Sequence, residues 1–170
     1  MRGVALVTGA AGGIGAAVAR RLASDGYAVA CLDLDGDGAA KVAADLEGAL
    51  AVTCDVADEE SVAAAVGAVR SGLGEVAVLV NAAGYFDRHD VPELSVREWR
   101  RFMDVNAMGP FLTCREVLPA MVVAGRQRRR KTPTNPGASV NWRERRTPHP
   151  PPWRRTPASP ASASPGTPTC

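Results

Sequence analysis

A chain of 170 residues has room for one domain with a real core, and 46% hydrophobic against 22% charged residues are ordinary figures for a globular protein. The net charge of +2 hides a split: residues 1–124 hold 10 Lys/Arg and 17 Asp/Glu, whereas residues 125–170 hold 10 Lys/Arg and the single acid Glu144. The cysteines Cys31, Cys54, Cys114 and Cys170 show neither paired nor metal-ligand spacing, which predicts reduced thiols, no metal centre and a cytoplasmic location. No run reaches the roughly 18 apolar residues of a membrane span. Gly9, Gly12, Gly13 and Gly15 break the apolar N-terminal stretch, which argues against a signal peptide.

Residues 4–7 form a short apolar run closed by Thr8-Gly9, the pattern of a buried strand. Ile14, Val18 and Leu22 then recur every fourth residue, which predicts a helix ending near Gly26 with those three on its inner face. Residues 28–32 read as a second strand ending at Asp33, residues 37–47 as an Ala-rich helix, and residues 50–52 as a third strand leading to Asp55. Asp58 is placed to cap a helix whose Val62, Val66, Val69 and Leu73 share a face. A fourth strand follows at 76–80. Ser95 and Glu98 then fit a capping box, opening a long helix that Pro110 and Pro119 should bend or divide. Apolar strands alternating with helices predict a doubly wound parallel α/β sheet of about four strands over residues 1–124.

Between the first strand and the first helix lies Thr8-Gly9-Ala10-Ala11-Gly12-Gly13-Ile14-Gly15. Glycines let a pyrophosphate approach the backbone closely, and the helix N-terminus offers its N–H groups to that anion. The spacing differs from the commoner Gly-x-Gly-x-x-Gly fingerprint, so the turn gains its meaning from its place in a βαβ unit. Asp33, at the end of the second strand, is positioned to accept hydrogen bonds from adenosine ribose hydroxyls. With Asp35 it would repel a 2′-phosphate, which favours NAD over NADP.

These residues carry a recognisable pattern. The turn Thr8-Gly9-x-x-x-Gly13-Ile14-Gly15 resembles the cofactor turn of the short-chain dehydrogenase/reductase family. Asp55-Val56 resembles that family's adenine-contacting pair. Asn81-Ala82-Ala83-Gly84 resembles its Asn-Asn-Ala-Gly motif, with Ala82 in place of the second Asn, and Asn106 matches the Asn of its catalytic tetrad. The resemblance runs from about residue 2 to residue 124. It implies a Rossmann-like fold, a nicotinamide cofactor, a small alcohol or carbonyl substrate, and homo-oligomers in the full-length family fold.

The resemblance also implies a Ser and a Tyr-x-x-x-Lys pair, since hydride loss from an alcohol needs a base for its proton. The tyrosines are Tyr27 and Tyr85, followed four residues on by Cys31 and His89, so no such pair exists in this sequence. Gly137-Ala138-Ser139-Val140-Asn141 is a faint match to the strand before the family's Ser. His89 and Asp90 read as solvated loop residues before they read as a substitute acid/base. Past Gly125 the periodicity vanishes into Arg-, Pro-, Ser- and Thr-rich sequence, which predicts a disordered basic tail or an out-of-frame segment over residues 125–170. The expectation is an NAD-dependent oxidoreductase domain that is catalytically incomplete. The alternative is a non-catalytic nucleotide-binding protein whose basic tail, with Trp142 and Trp153, contacts nucleic acid or an acidic partner.

Overall fold

The computed structural model describes residues 2–86 and 91–131. His89, Asp90, the 137–141 segment, Trp142 and Trp153 lie outside the described residues. The described elements, in chain order, are β1 (Val4–Thr8), α1 (Gly13–Ser24), β2 (Ala28–Asp33), α2 (Gly36–Ala44), β3 (Leu50–Thr53), α3 (Glu59–Gly72) and β4 (Val76–Asn81). A 3₁₀ turn (Val91–Glu93), α4 (Val96–Met103), a π-helical turn (Asp104–Met108) and α5 (Gly109–Lys131) complete them.

The four strands form one parallel sheet in the order β3-β2-β1-β4. This is the doubly wound arrangement, and its order reverses between β1 and β4. Alternation along the strands builds two cores. On one face Val4, Leu6, Ala30 and Leu32 pack with Val62, Val66 and Val69 of α3 and Leu112 and Val117 of α5. On the other, Val7, Val29 and Cys31 pack with Ala16 and Ala19 of α1 and Val42 of α2. β1 is buried throughout because it has neighbours on both edges and helices on both faces.

The inner face of α1 departs from the periodic reading. Its buried residues are Gly15, Ala16 and Ala19, while Val18 and Leu22 lie at the margin and Ile14 is 79% exposed. The small residues let the helix lie close to the sheet beneath the glycine turn. A branched Ile side chain could not sit there. The caps agree with expectation: Asp58 accepts the Ser61 N–H at 2.6 Å, and Ser95 and Glu98 make both bonds of the capping box.

The prolines act differently from each other. Pro110 has no N–H to bond the Asn106 carbonyl four residues back, and the π turn is placed there, dividing α4 from α5. Pro119 lies inside α5 without ending it, and the helix runs on to Lys131. Taken together, 96–125 is long and apolar enough by composition to cross a membrane. Its Leu112 and Val117 are nevertheless packed in the sheet core, as in a helix that covers a sheet.

Candidate functional site

The C-terminal ends of all four strands open on one cavity of about 400 Å³. Gly9 and Gly12 of the turn, Asp33, and the Asp55-Val56 pair line part of it. Ala82, Ala83 and Gly84 after β4 line the rest, with Tyr85, Arg101 and Val105. A crevice beyond the strand ends at the point where sheet order reverses is where doubly wound folds take ligands.

Gly9 must be glycine. Its φ is +69°, and a Cβ there would lie 2.6–2.7 Å from backbone atoms of Ala82 and Ala83. The turn is therefore docked directly against the residues that follow β4. Thr8 makes the same junction with its side chain: Oγ1 accepts the N–H of Ala82 at 3.2 Å and of Ala83 at 3.1 Å. Because Thr8 is 1% exposed, its hydroxyl shapes the site and does not reach its contents. At Gly15 a Cβ would collide with the Gly9 carbonyl, so this glycine lets α1 begin beneath the turn.

The opening itself comes from Gly12 and Gly13, where a Cβ would meet no atom within 4 Å. Asp35, Asp58 and Ser95 cap α2, α3 and α4 with side chains, but Gly12 gives α1 no side-chain cap. The first N–H groups of α1 are thus left for an anion such as a pyrophosphate, which the turn has space to admit. The residues present fit a dinucleotide.

Asp33 Oδ2 accepts the Ala11 N–H at 2.9 Å, and Oδ1 accepts the Asp35 N–H at 3.0 Å. These bonds fix the carboxylate between β2 and the turn, while each oxygen keeps a second acceptor position. Asp55 is set similarly: its N–H donates to Ser61 Oγ at 2.9 Å and its Oδ1 accepts from the Ala57 N–H at 2.9 Å. Val56 packs under Gly109, where a Cβ would sit 3.0 Å from Val56 Cγ2. Cys54 borders the same cavity. Its burial pushes the thiol above its ordinary range, as it does for Cys31 in the opposite core, so neither is poised as a nucleophile.

The remaining expected residues stand behind the cavity wall. Asn81 Oδ1 accepts from Thr113 Oγ1 at 2.7 Å, tying the end of β4 to α5. Asn106 clamps Tyr85 on both sides: Oδ1 accepts the Tyr85 N–H at 3.1 Å, and Nδ2 donates to the Tyr85 carbonyl at 2.7 Å. It also donates to the Phe102 carbonyl at 3.0 Å. Its side chain thus holds the loop after β4 while the π turn bends the helix around it. Gly13 and Ile14 lie at the α1 N-terminus. Sequence reasoning missed Tyr85 and Arg101, whose guanidinium stands 4.6 Å over the Tyr85 ring. No local signal marks that pair, because loop and helix meet only in the fold. Among the described residues no group of His, Cys, Asp and Glu could hold a metal ion.

A family model for short chain dehydrogenases matches residues 3–130. The chain belongs to the short-chain dehydrogenase family. D-threitol dehydrogenase of Mycolicibacterium smegmatis is 44% identical over 126 residues, covering 72% of this chain and 48% of the relative. The 2-dehydro-3-deoxy-L-rhamnonate dehydrogenase (NAD(+)) of a Sphingomonas strain is 40% identical over 123 residues, 71% of this chain and 49% of that protein. The crystal structure of 3-ketoacyl-(acyl-carrier-protein) reductase from Brucella melitensis, complexed with NADH, aligns with a TM-score of 0.66 at 38% identity. That alignment covers 69% of this chain and 49% of the reductase. The chain thus spans about half the length of the curated relatives it matches. It shares with this family of oxidoreductases the Rossmann-like half in which the cavity lies.

Proposed function

We propose that this chain binds NAD in the cavity at the strand ends, and that it carries the cofactor half of an enzyme moving hydride between a nicotinamide and an alcohol or carbonyl. The observation that carries the reading is the convergence of Gly9, Asp33, Asp55, Val56, Ala82 and Gly84 on one cavity beside an uncapped helix. In this reading Gly9, Gly13, Ile14 and Gly15 surround the pyrophosphate, with Thr8 holding the turn. Asp33 takes the adenosine ribose, Asp55 and Val56 the adenine, and Asn81, Ala82 and Gly84 face the nicotinamide end. The bound nicotinamide would supply or accept the hydride. Asn106 acts here as a positioning residue through Tyr85.

Asp33 and Asp35 favour NAD over NADP by repelling a 2′-phosphate. With no Tyr-x-x-x-Lys in the sequence, the chain is read as binding without turnover. Loss of such an acid/base costs about 10²–10⁴ in rate by itself. The substrate is read as a small alcohol or carbonyl, and the location as cytoplasmic. The basic sequence beyond α5 is read as out of frame with the sequence before it. Translating the coding DNA in the other frames tests this, and the absence of any Tyr-x-x-x-Lys there would refute it. Fluorescence titration with NADH and NADPH tests the cofactor reading. Saturable NADH binding tighter than NADPH is expected, and failure of NADH to bind would overturn it.

A further inference from the structure

The two sides of the strand-end cavity differ in what their polar groups are doing. On the side formed by the turn, β2 and β3, hydrogen-bonding capacity is left over. No side chain caps the first N–H groups of α1. Each Asp33 oxygen accepts one backbone N–H, from Ala11 or Asp35, and keeps a second acceptor position. Beyond β4 the polar groups are engaged within the protein. The N–H groups of Ala82 and Ala83 both donate to Thr8 Oγ1. Asn106 Oδ1 accepts the Tyr85 N–H, and its Nδ2 donates to the carbonyls of Tyr85 and Phe102. The Asn81 side chain is turned onto α5, with Oδ1 2.7 Å from Thr113 Oγ1 and Nδ2 3.8 Å from Cys114 Sγ. The side chains that residues 82–84 bring to the lining are the methyls of Ala82 and Ala83, with none at Gly84. A nicotinamide carboxamide needs both an acceptor and donors aimed at it. Among the described residues, the amides of Asn81 and Asn106 are directed elsewhere.

We propose that this site takes adenosine 5′-diphosphates as a class, ADP-ribose as readily as NADH, because the affinity resides in the adenosine and pyrophosphate. The inference rests on the dinucleotide reading above, which places adenine against Asp55 and Val56 and the pyrophosphate at the turn. A polar ligand group that leaves water without gaining a partner adds no affinity. The carboxamide therefore stays hydrated, and the nicotinamide ring is carried by the rest of the molecule. The cavity, of about 400 Å³, is toward the small end of ligand pockets, which suits part of a dinucleotide better than all of it.

The test is calorimetric titration of the full chain with NADH, ADP-ribose and nicotinamide mononucleotide, each on its own. ADP-ribose keeps the adenosine, the pyrophosphate and its charge, and the second ribose, and lacks only the nicotinamide ring. It should bind with an affinity within about threefold of that of NADH, and nicotinamide mononucleotide should show no saturable binding. A carboxamide held by two hydrogen bonds would instead favour NADH over ADP-ribose by roughly tenfold. An advantage of that size, or saturable binding of the mononucleotide, overturns the proposal and leaves the dinucleotide reading standing. Binding of ADP-ribose without binding of NADH would fault the dinucleotide reading alone. A chain that binds none of the three refutes both.

Discussion

Leu6 of β1 and Leu79 of β4 face each other across one ladder, yet Leu6 is fully buried and Leu79 only partly so. The same contrast extends outward from them. Around β1 and β2 every apolar strand residue is covered from both faces. Toward β4, α4 and α5 the surface carries exposed Trp99, Met103, Phe111, Leu118, Val122 and Val123. The glycine turn is mounted on the well-covered region and docks against the residues that follow β4. The β4 flank contributes one wall of the cleft but leaves much of its own apolar surface to solvent, a feature that marks interaction or aggregation-prone surfaces.

The contact between the two regions should respond most strongly to substitution. Gly9→Ala puts a Cβ into the Ala82–Ala83 backbone and adds about 1–2 kcal/mol of left-handed strain, so NADH binding should disappear. Gly13→Ala, with φ +53° but open space around it, should cost the fold the strain alone, although its Cβ enters the space proposed for the pyrophosphate. Equal losses of stability in the two variants, measured by urea unfolding, would show the turn is not docked as described. Next in size, Leu6→Ala should lose about 2–5 kcal/mol of stability, as buried leucines do, and Leu79→Ala clearly less. Equal losses would remove the distinction between the regions.

Thr8→Val keeps the shape of the junction but removes the acceptor of two N–H groups, and should cost about 1–3 kcal/mol by urea unfolding; Thr8→Ser should restore most of it. A smaller effect is expected of Asp33→Asn, which removes the charge facing the ribose. The preference for NADH over NADPH should shrink by about tenfold, roughly 1.4 kcal/mol, and an unchanged ratio would mean Asp33 does not face the ribose. The smallest effect concerns the buried thiols. Burial raises the pKa of Cys31 and Cys54, so their stabilising contribution is complete below the ordinary thiol range and lost as pH rises through the raised values. Urea midpoints should therefore fall above about pH 8.5, and the Cys31→Ala/Cys54→Ala double variant should flatten that fall.

Much of this was legible in the chain itself. The four strands, the two side-chain caps and the glycine turn follow from periodicity and local hydrogen-bond chemistry, which act within a few residues. What escaped depends on distant segments meeting. Thr8 looked like a ligand contact until the residues after β4 covered it. Asn106 was marked by its motif, but the bonds of its amide to the Tyr85 backbone 21 residues away exist only in the fold. Ile14 fitted a helical face by spacing, but close approach to the sheet selected Gly15, Ala16 and Ala19 instead. The continuation of α5 to Lys131 was hidden by a charge block that composition marks as tail. Arg, Gln and Lys are nonetheless good helix formers.

On the proposed reading these residues hold a nicotinamide dinucleotide without the groups that turn it over. It is tested most directly by titrating NADH into the purified chain and then following nicotinamide absorbance in the same samples with a panel of small ketones and aldehydes, and with the corresponding alcohols and NAD. Saturable binding at one site per chain is expected, with no change in absorbance beyond that of protein-free controls. Clear substrate-dependent turnover, or a chain that binds no dinucleotide, would contradict it.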